Sequence, residues 1–98
     1  MLKVKFKKIE TNHNRIRDNE ILGKCTHIPE EGHQFVMWGE GRDLPGSTRQ
    51  VNTSPVKAVK WFEDTRTFVL WTESGSTYEV EVLDPRDPFE YKRWSPND

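Results

Sequence analysis

The fold is decided by residues 49–83, which read RQVNTSPVKAVKWFEDTRTFVLWTESGSTYEVEVL. The run Thr67 to Thr72 (TFVLWT) is apolar on both alternating faces, which is typical of a strand covered on both sides. Ser74-Gly75 supplies a turn after this run, because glycine adopts positive φ without steric cost. A second turn centred on Asp64-Thr65 precedes it. The stretch therefore predicts two consecutive hairpins, which form a three-stranded antiparallel meander over residues 56–83.

The side chains of the meander also predict its cross-strand pairs. In the first hairpin, Trp61 is expected opposite Phe68, so that two aromatic rings meet across the strands. In the second hairpin, a two-residue loop of Ser74-Gly75 places Trp71 opposite Tyr78. A slip of one residue in either register would move every side chain to the other face of the sheet.

The same register has an unfavourable consequence in the last strand. It places Glu79 and Glu81 beside the apolar side chains of Leu70 and Phe68. We therefore expect that face of the meander to turn towards solvent at its last strand.

The N-terminal half of the chain adds further predicted strands. Its first residues alternate apolar side chains with lysines, a period of two that indicates a half-buried strand. The segments Ile21 to Ile28 and Gln34 to Trp38 follow, with Gly23 marking a bulge or a close approach of two backbones. Thr48 to Thr53 is extended, and Pro55 is expected to bend this strand as at the corner of a barrel.

The strand pattern ends after residue 83. Asp87 can cap a short helical turn that begins at Pro88 and runs through Trp94. The aromatic residues of this tail, among them Phe89 and Tyr91, are expected to dock on the barrel or on a partner.

These elements predict an all-β protein. We expect a small antiparallel barrel, SH3-like or OB-like, of five or six strands, with a two-sheet roll as the alternative. A single β domain is expected over residues 1–98, with the barrel in 1–83 and the C-terminal tail, residues 84–98, docked on it.

Composition limits the class of protein. The 98 residues carry 15 basic and 16 acidic side chains, a net charge of -1 that favours neither a strongly basic nucleic-acid binder nor an acidic DNA mimic. Cys25 has no second cysteine to pair with, which favours a reducing compartment. No apolar run approaches the roughly 20 residues that span a bilayer, and the alternating start MLKVKFKKIE is unlike a signal peptide. A cytoplasmic protein without a membrane partner is expected.

Motifs for catalysis and metal binding are missing from the sequence. The patterns GxSxG, HExxH and the Walker loop do not occur. His13, His27 and His33 lie near Cys25 in the chain but not at the spacings of zinc sites. We therefore expect no catalytic residue, no metal and no cofactor.

One part of the chain resembles a known group of proteins. Thr53-Ser54-Pro55-Val56, followed by FVLWTESGSTYEVEVL with Ser76 and Tyr78 in an S-x-Y spacing, resembles small accessory β-proteins encoded by bacteriophages and prophages. The similarity lies in strand and turn residues, so it identifies no functional residue. It implies a viral protein that works in the host cytoplasm on a host protein or a defence system.

A non-enzymatic binding module is the function we predict. The glycine-rich segment Gly39 to Ser47 indicates a long surface loop, and two of the four tryptophans are not required by the predicted strand pairs. Tryptophan is enriched among interface hot spots. The predicted partner-binding residues are Trp38, Arg42, Asp43, Leu44 and Trp94.

Two alternatives remain open. A basic strip of Lys3, Lys5, Lys7 and Arg15 predicts single-stranded nucleic-acid binding, with a phosphate backbone along the lysines and bases stacked on aromatic rings. Aromatic walls around a small ligand would instead indicate a protein that sequesters nucleotides or other small molecules.

Overall fold

The structure, a computed structural model, describes residues 1–9, 20–40 and 48–92. Their elements are β1 (Leu2–Ile9), β2 (Glu20–Cys25), β3 (Gln34–Glu40), β4 (Thr48–Phe62), β5 (Thr67–Thr72), β6 (Thr77–Val82) and a 3₁₀ helix (Pro88–Tyr91). Each strand pairs antiparallel with its neighbour in the chain, and β6 pairs with β1 to close a barrel. The predicted all-β antiparallel barrel is confirmed. Its six strands follow an up-and-down order, which differs from the Greek-key order of OB folds.

Alternation of side chains places the core inside this barrel. In β1, Leu2, Val4 and Phe6 are buried while the lysines between them face outward. Phe6 stacks on Tyr78 of β6, with ring centroids 4.9 Å apart. The buried apolar residues form one cluster: Leu2, Val4, Phe6, Cys25, Ile28, Phe35, Met37, Val56, Phe68, Leu70, Val80 and Val82.

The fourth strand changes its pairing partner at Pro55, where a bend is predicted. β4 pairs with β3 up to Pro55 and with β5 after it, and its register with β5 shifts between Val56 and Ala58. Thr53 is buried just before the bend, where its Oγ1 accepts a hydrogen bond from the Phe35 amide at 3.0 Å. The first part of β4 therefore pairs with β3 and the last part pairs with β5, within one continuous strand.

The register predicted for the first hairpin is confirmed. Trp61 lies opposite Phe68 and Val59 lies opposite Leu70. The rings of Trp61 and Phe68 pack with centroids 4.5 Å apart.

The register predicted for the second hairpin is wrong by one residue. Tyr78 lies opposite Leu70 and points into the barrel, whereas Trp71 lies opposite Thr77 and is 41% exposed. The two rings therefore lie on opposite faces of the sheet. The shift moves Glu79 opposite Val69 on the outer face, so the expected contact between glutamates and core side chains does not occur.

The cause of this shift is a loop of three residues instead of two. The Thr72 amide donates to the Ser76 carbonyl at 2.9 Å, and Gly75 takes a φ of +92° between them. Ser54, from the bend in β4, donates to Ser74 Oγ at 2.9 Å and fastens the loop from outside. A hydrogen bond between β4 and the β5–β6 loop therefore accompanies the three-residue loop.

A close approach of two backbones explains Gly23 in β2. A Cβ at this position would collide with the Trp38 carbonyl oxygen and would lie 2.7 Å from Cε of Met37. The glycine therefore lets β3 lie directly against β2. β2 ends at Cys25 instead of the predicted Ile28, and β3 continues to Glu40.

The C-terminal segment docks on the barrel through its aromatic residues. Asp87 caps the 3₁₀ helix by accepting a hydrogen bond from the Phe89 amide, as predicted. The Phe89 ring meets Trp61 edge-on at 5.4 Å, and the Tyr91 carbonyl accepts from the Ile28 amide at 2.7 Å. Trp94, the predicted end of this turn, lies outside the described residues.

Candidate functional site

A groove of about 510 Å³ lies on the outer surface of the barrel, where β1, β2 and β3 run side by side. We call it the Trp38 groove. Its volume falls within the range of small binding pockets, about 300–1,000 Å³. The residues that form its walls are Met1, Lys3, Leu22, Gly23, Lys24, Trp38 and Leu83.

The floor and one wall of the groove come from strand alternation. In β2, Gly23 and Cys25 face the barrel interior, so Leu22 and Lys24 face outward. Lys24 lies opposite Trp38 in β3. Because Gly23 lets β3 approach, the indole of Trp38 is brought next to the outward side chains of β2.

The other wall comes from the two ends of the described barrel. The Leu83 amide donates to the Lys3 carbonyl at 2.9 Å, which places Leu83 beside β1. The Arg86 guanidinium donates to the Met1 carbonyl at 2.8 Å and forms an ion pair with Asp84 at 2.6 Å. These contacts hold Met1 and Leu83 in place. We call the contacts of Arg86 with Met1 and Asp84 the Arg86 latch.

Charge and hydrogen bonding fix the protonation states in the latch. Hydrogen bonds from Arg86 hold the pKa of the Asp84 carboxyl well below its usual range, and Asp84 raises the pKa of Arg86 in turn. Arg66 reinforces the segment, since its guanidinium donates to the carbonyls of both residues at 2.8 Å. The latch is therefore fully ionised at neutral pH.

Apolar side chains are unusually exposed around the groove. Met1 is 53% exposed, Leu22 52% and Leu83 40%, and all three border the half-buried Trp38. Scattered exposed apolar residues are normal on a protein surface, whereas a contiguous group of them indicates an interaction site.

Two lysines add positive charge to this apolar surface. Lys3 of β1 lies opposite Lys24 of β2, and both line the groove. Within residues 1–9, 20–40 and 48–92, neither ammonium group forms an ion pair with a carboxylate.

The next lysines along β1 have a different environment. Lys5 Nζ lies 3.3 Å from Glu81 and 3.8 Å from Glu20, and its pKa is raised, chiefly by the hydrogen bond with Glu81. Lys7 lies opposite Glu20 in β2 and Glu79 in β6. The outer face of β1 is therefore charge-balanced beyond Lys3.

The structure places some of the predicted site residues and not others. Trp38 and Lys3 meet in the groove, although the sequence assigns them to different functions. Lys5 and Lys7 lie farther along β1, among acidic side chains. The remaining predicted site residues, Arg15, Arg42, Asp43, Leu44 and Trp94, lie outside the described residues.

Sequence reasoning missed four residues of the groove: Met1, Leu22, Lys24 and Leu83. The signal for two of them is present in the pattern. If Gly23 and Cys25 face the interior, Leu22 is an apolar residue at an outward position, and Leu83 is another after inward Val82. That the two leucines line one groove follows from closure of the barrel between β6 and β1.

The side chains of the groove are suited to binding. Among the side chains of the described lining residues, only those of the two lysines are ionisable. Cys25 is buried beneath the sheet, and burial raises the pKa of its thiol to about 12. In the described part of the chain, no three His, Cys, Asp or Glu side chains are grouped to hold a metal ion.

Comparison of the chain with protein-family models, curated proteins and solved structures gives no match. The described residues also contain no helix with the length and apolar character needed to cross a bilayer.

Proposed function

We propose that this chain is a non-enzymatic binding module that engages a partner protein through the Trp38 groove. The observation that carries the proposal is the cluster of Met1, Leu22 and Leu83, all strongly exposed, around one tryptophan. Tryptophan is one of the residue types enriched among interface hot spots. The partner inserts an apolar side chain between the indole and the leucines.

The closed barrel restricts how a partner can bind. Every strand has a neighbour on both sides, because β6 returns to β1. Addition of a partner strand to an exposed sheet edge, a common mode of peptide recognition, is therefore disfavoured. Recognition through side chains on the outer face remains, and the Trp38 groove is a concave part of that face with apolar walls.

The resemblance to phage-encoded accessory proteins suggests the biological context. In that context the chain is an accessory protein, active in the host cytoplasm, whose partner is a host protein or a component of a defence system. Arg42, Asp43 and Leu44, the other predicted partner-binding residues near Trp38 in the chain, lie outside the described residues, and their part in binding stays a prediction.

A peptide-display selection tests the proposal even though the partner is unidentified. Peptides are selected from a random library on the wild-type protein, and their affinities are then measured for Trp38→Ala and Trp71→Ala. Trp71 is the matched control, since it is also on the outer face but is not part of the groove.

We expect Trp38→Ala to weaken the selected peptides by about 30-fold, the effect of losing a hot-spot side chain of about 2 kcal/mol. Trp71→Ala should leave their affinity unchanged. Peptides that bind Trp38→Ala as well as the wild type would refute the groove as the binding site. Preferential binding of oligothymidylate or nucleotides by the wild type would favour one of the two alternative functions.

A further inference from the structure

We propose that the Trp38 groove selects a partner segment with a carboxylate next to its apolar anchor, and that Lys3 and Lys24 bind this carboxylate. The inference rests on the proposed function and specifies the chemistry of the partner. It is carried by the placement of two lysines and the half-buried Trp38 in one groove.

The lysine pair is unfavourable for the isolated barrel. Lys3 and Lys24 lie directly opposite each other on neighbouring strands, and like charges in this arrangement are destabilising. No described carboxylate pairs with either ammonium group. An anion bound between Lys3 and Lys24 would remove this repulsion, so part of its binding free energy comes from the protein itself.

The next lysine in β1 has different cross-strand neighbours from those of Lys3. Lys5, two residues further along β1, contacts Glu81 and Glu20. At the position corresponding to Glu81, Lys3 has Leu83 beside it, with the Leu83 amide bonded to the Lys3 carbonyl. An apolar residue thus replaces the acidic partner where the groove begins.

The acidic side chains around the groove favour a protein carboxylate over a nucleic acid. A phosphodiester backbone presents successive charges and needs a continuous basic track. Beyond Lys3, such a chain would meet the row that contains Glu20 and Glu81. A single carboxylate beside an apolar side chain needs no more than the two ammonium groups and the apolar walls.

Charge reversal tests this inference directly. The probes are a short blocked peptide with one leucine flanked by glutamates, the same peptide with lysines in place of the glutamates, and oligothymidylate. The affinity of each is measured for the wild type, Lys3→Glu/Lys24→Glu, and the control Lys57→Glu/Lys60→Glu. The control changes net charge equally at exposed β4 lysines that are not part of the groove.

We expect the wild type to prefer the glutamate peptide and the groove variant to lose about tenfold or more in affinity for it. The groove variant should gain affinity for the lysine peptide, and the control should behave as the wild type. Lys3→Gln/Lys24→Gln, which adds no acidic group to the sheet, should show an intermediate loss and serves if the reversed variant unfolds.

Three results would overturn the inference. These are equal binding of the glutamate peptide by wild type and groove variant, no binding of this peptide by the wild type, and preference of the wild type for oligothymidylate. Failure of the proposed function is recognised separately, because it would make peptide binding insensitive to Trp38→Ala.

Discussion

The outer face of the barrel has two regions that carry the same types of residue in different arrangements. Around Lys5 and Lys7, acidic side chains of β2 and β6 lie beside the lysines, and Lys5 is paired with two carboxylates. Around Lys3, the neighbours are a second lysine, an exposed leucine and Trp38. The first region balances its charges within the described barrel, whereas the second presents positive charge and apolar surface together.

Trp38 and Trp71, two tryptophans on the outer face, differ in the same way. Trp71 lies opposite Ala58 and Thr77, and it is not part of the groove although 41% of it is exposed. Trp38 is half-buried in the wall of a groove. Exposure of an aromatic ring alone therefore does not identify a binding site; concave surroundings and a neighbouring pair of like charges are the distinguishing features.

The largest effect is expected from removing the close approach that shapes the groove. Gly23→Val puts side-chain atoms against the Trp38 carbonyl and Met37, so β2 and β3 must separate. We expect the free energy of unfolding to fall by roughly 2–4 kcal/mol, the cost of overpacking a rigid site. Denaturant unfolding measures the loss, and two-dimensional NMR should show the largest chemical-shift changes in β2 and β3.

Gly75→Ala is the control for this substitution. No atom lies within 4 Å of the added Cβ, but φ is +92°, so the cost is backbone strain of about 1 kcal/mol in the β5–β6 loop. If Gly23→Val were no more destabilising than Gly75→Ala, the tight contact between β2 and β3 would not determine the shape of the groove.

Local sequence patterns were sufficient to predict the strand of β1 and the register of the first hairpin. Alternation in β1 and the turn at Asp64-Thr65 are signals within a few residues, and both predictions are confirmed. The loop after Thr72 is different, because Ser54 fastens it from twenty residues away. The local sequence agrees with a two-residue loop and with a three-residue loop. The observed three-residue loop includes the hydrogen bond to Ser54, which no local pattern predicts.

The groove was predictable only in part, because it too depends on contacts between segments that are distant in the sequence. Trp38 stands out in the sequence because no predicted strand pair requires it. Leu22 and Leu83 stand out less, since each is a single apolar residue in an otherwise polar position. Their common location depends on closure of β6 onto β1 and on the Arg86 latch, neither of which any local pattern encodes.

A smaller effect is expected from protonation of Asp84, which removes the ion pair of the Arg86 latch and loosens the wall of the groove that Met1 and Leu83 form. The pKa of Asp84 is lowered in the folded protein, so its stabilising contribution is complete above the ordinary Asp pKa of about 3.9 and is lost as pH falls below it. Because the pKa of Asp84 lies well below its usual range, the latch should survive mild acidification and release Met1 and Leu83 only at strongly acidic pH. Amide exchange at Leu83, whose N–H is bonded to Lys3, measures this release.

Asp84→Asn is the matched variant for the latch. It should show fast exchange at Leu83 already at neutral pH and little further change on acidification. Equal acid sensitivity of the variant and the wild type would assign the transition to other carboxylates and leave the wall independent of Asp84.

The smallest expected change in the free energy of unfolding comes from single lysine substitutions, which compare the two regions of β1 directly. Lys3→Ala removes one member of a like-charged pair, so the free energy of unfolding should stay within about 0.5 kcal/mol of the wild type or rise slightly. Lys5→Ala leaves Glu81 and Glu20 without their shared cation and should lower stability measurably more. Urea unfolding at low and high salt tests both, because screening should shrink the difference between the variants. If both variants lost the same free energy of unfolding at low salt, the environments of the two lysines would be energetically alike. The charge of Lys3 would then no longer indicate a binding site.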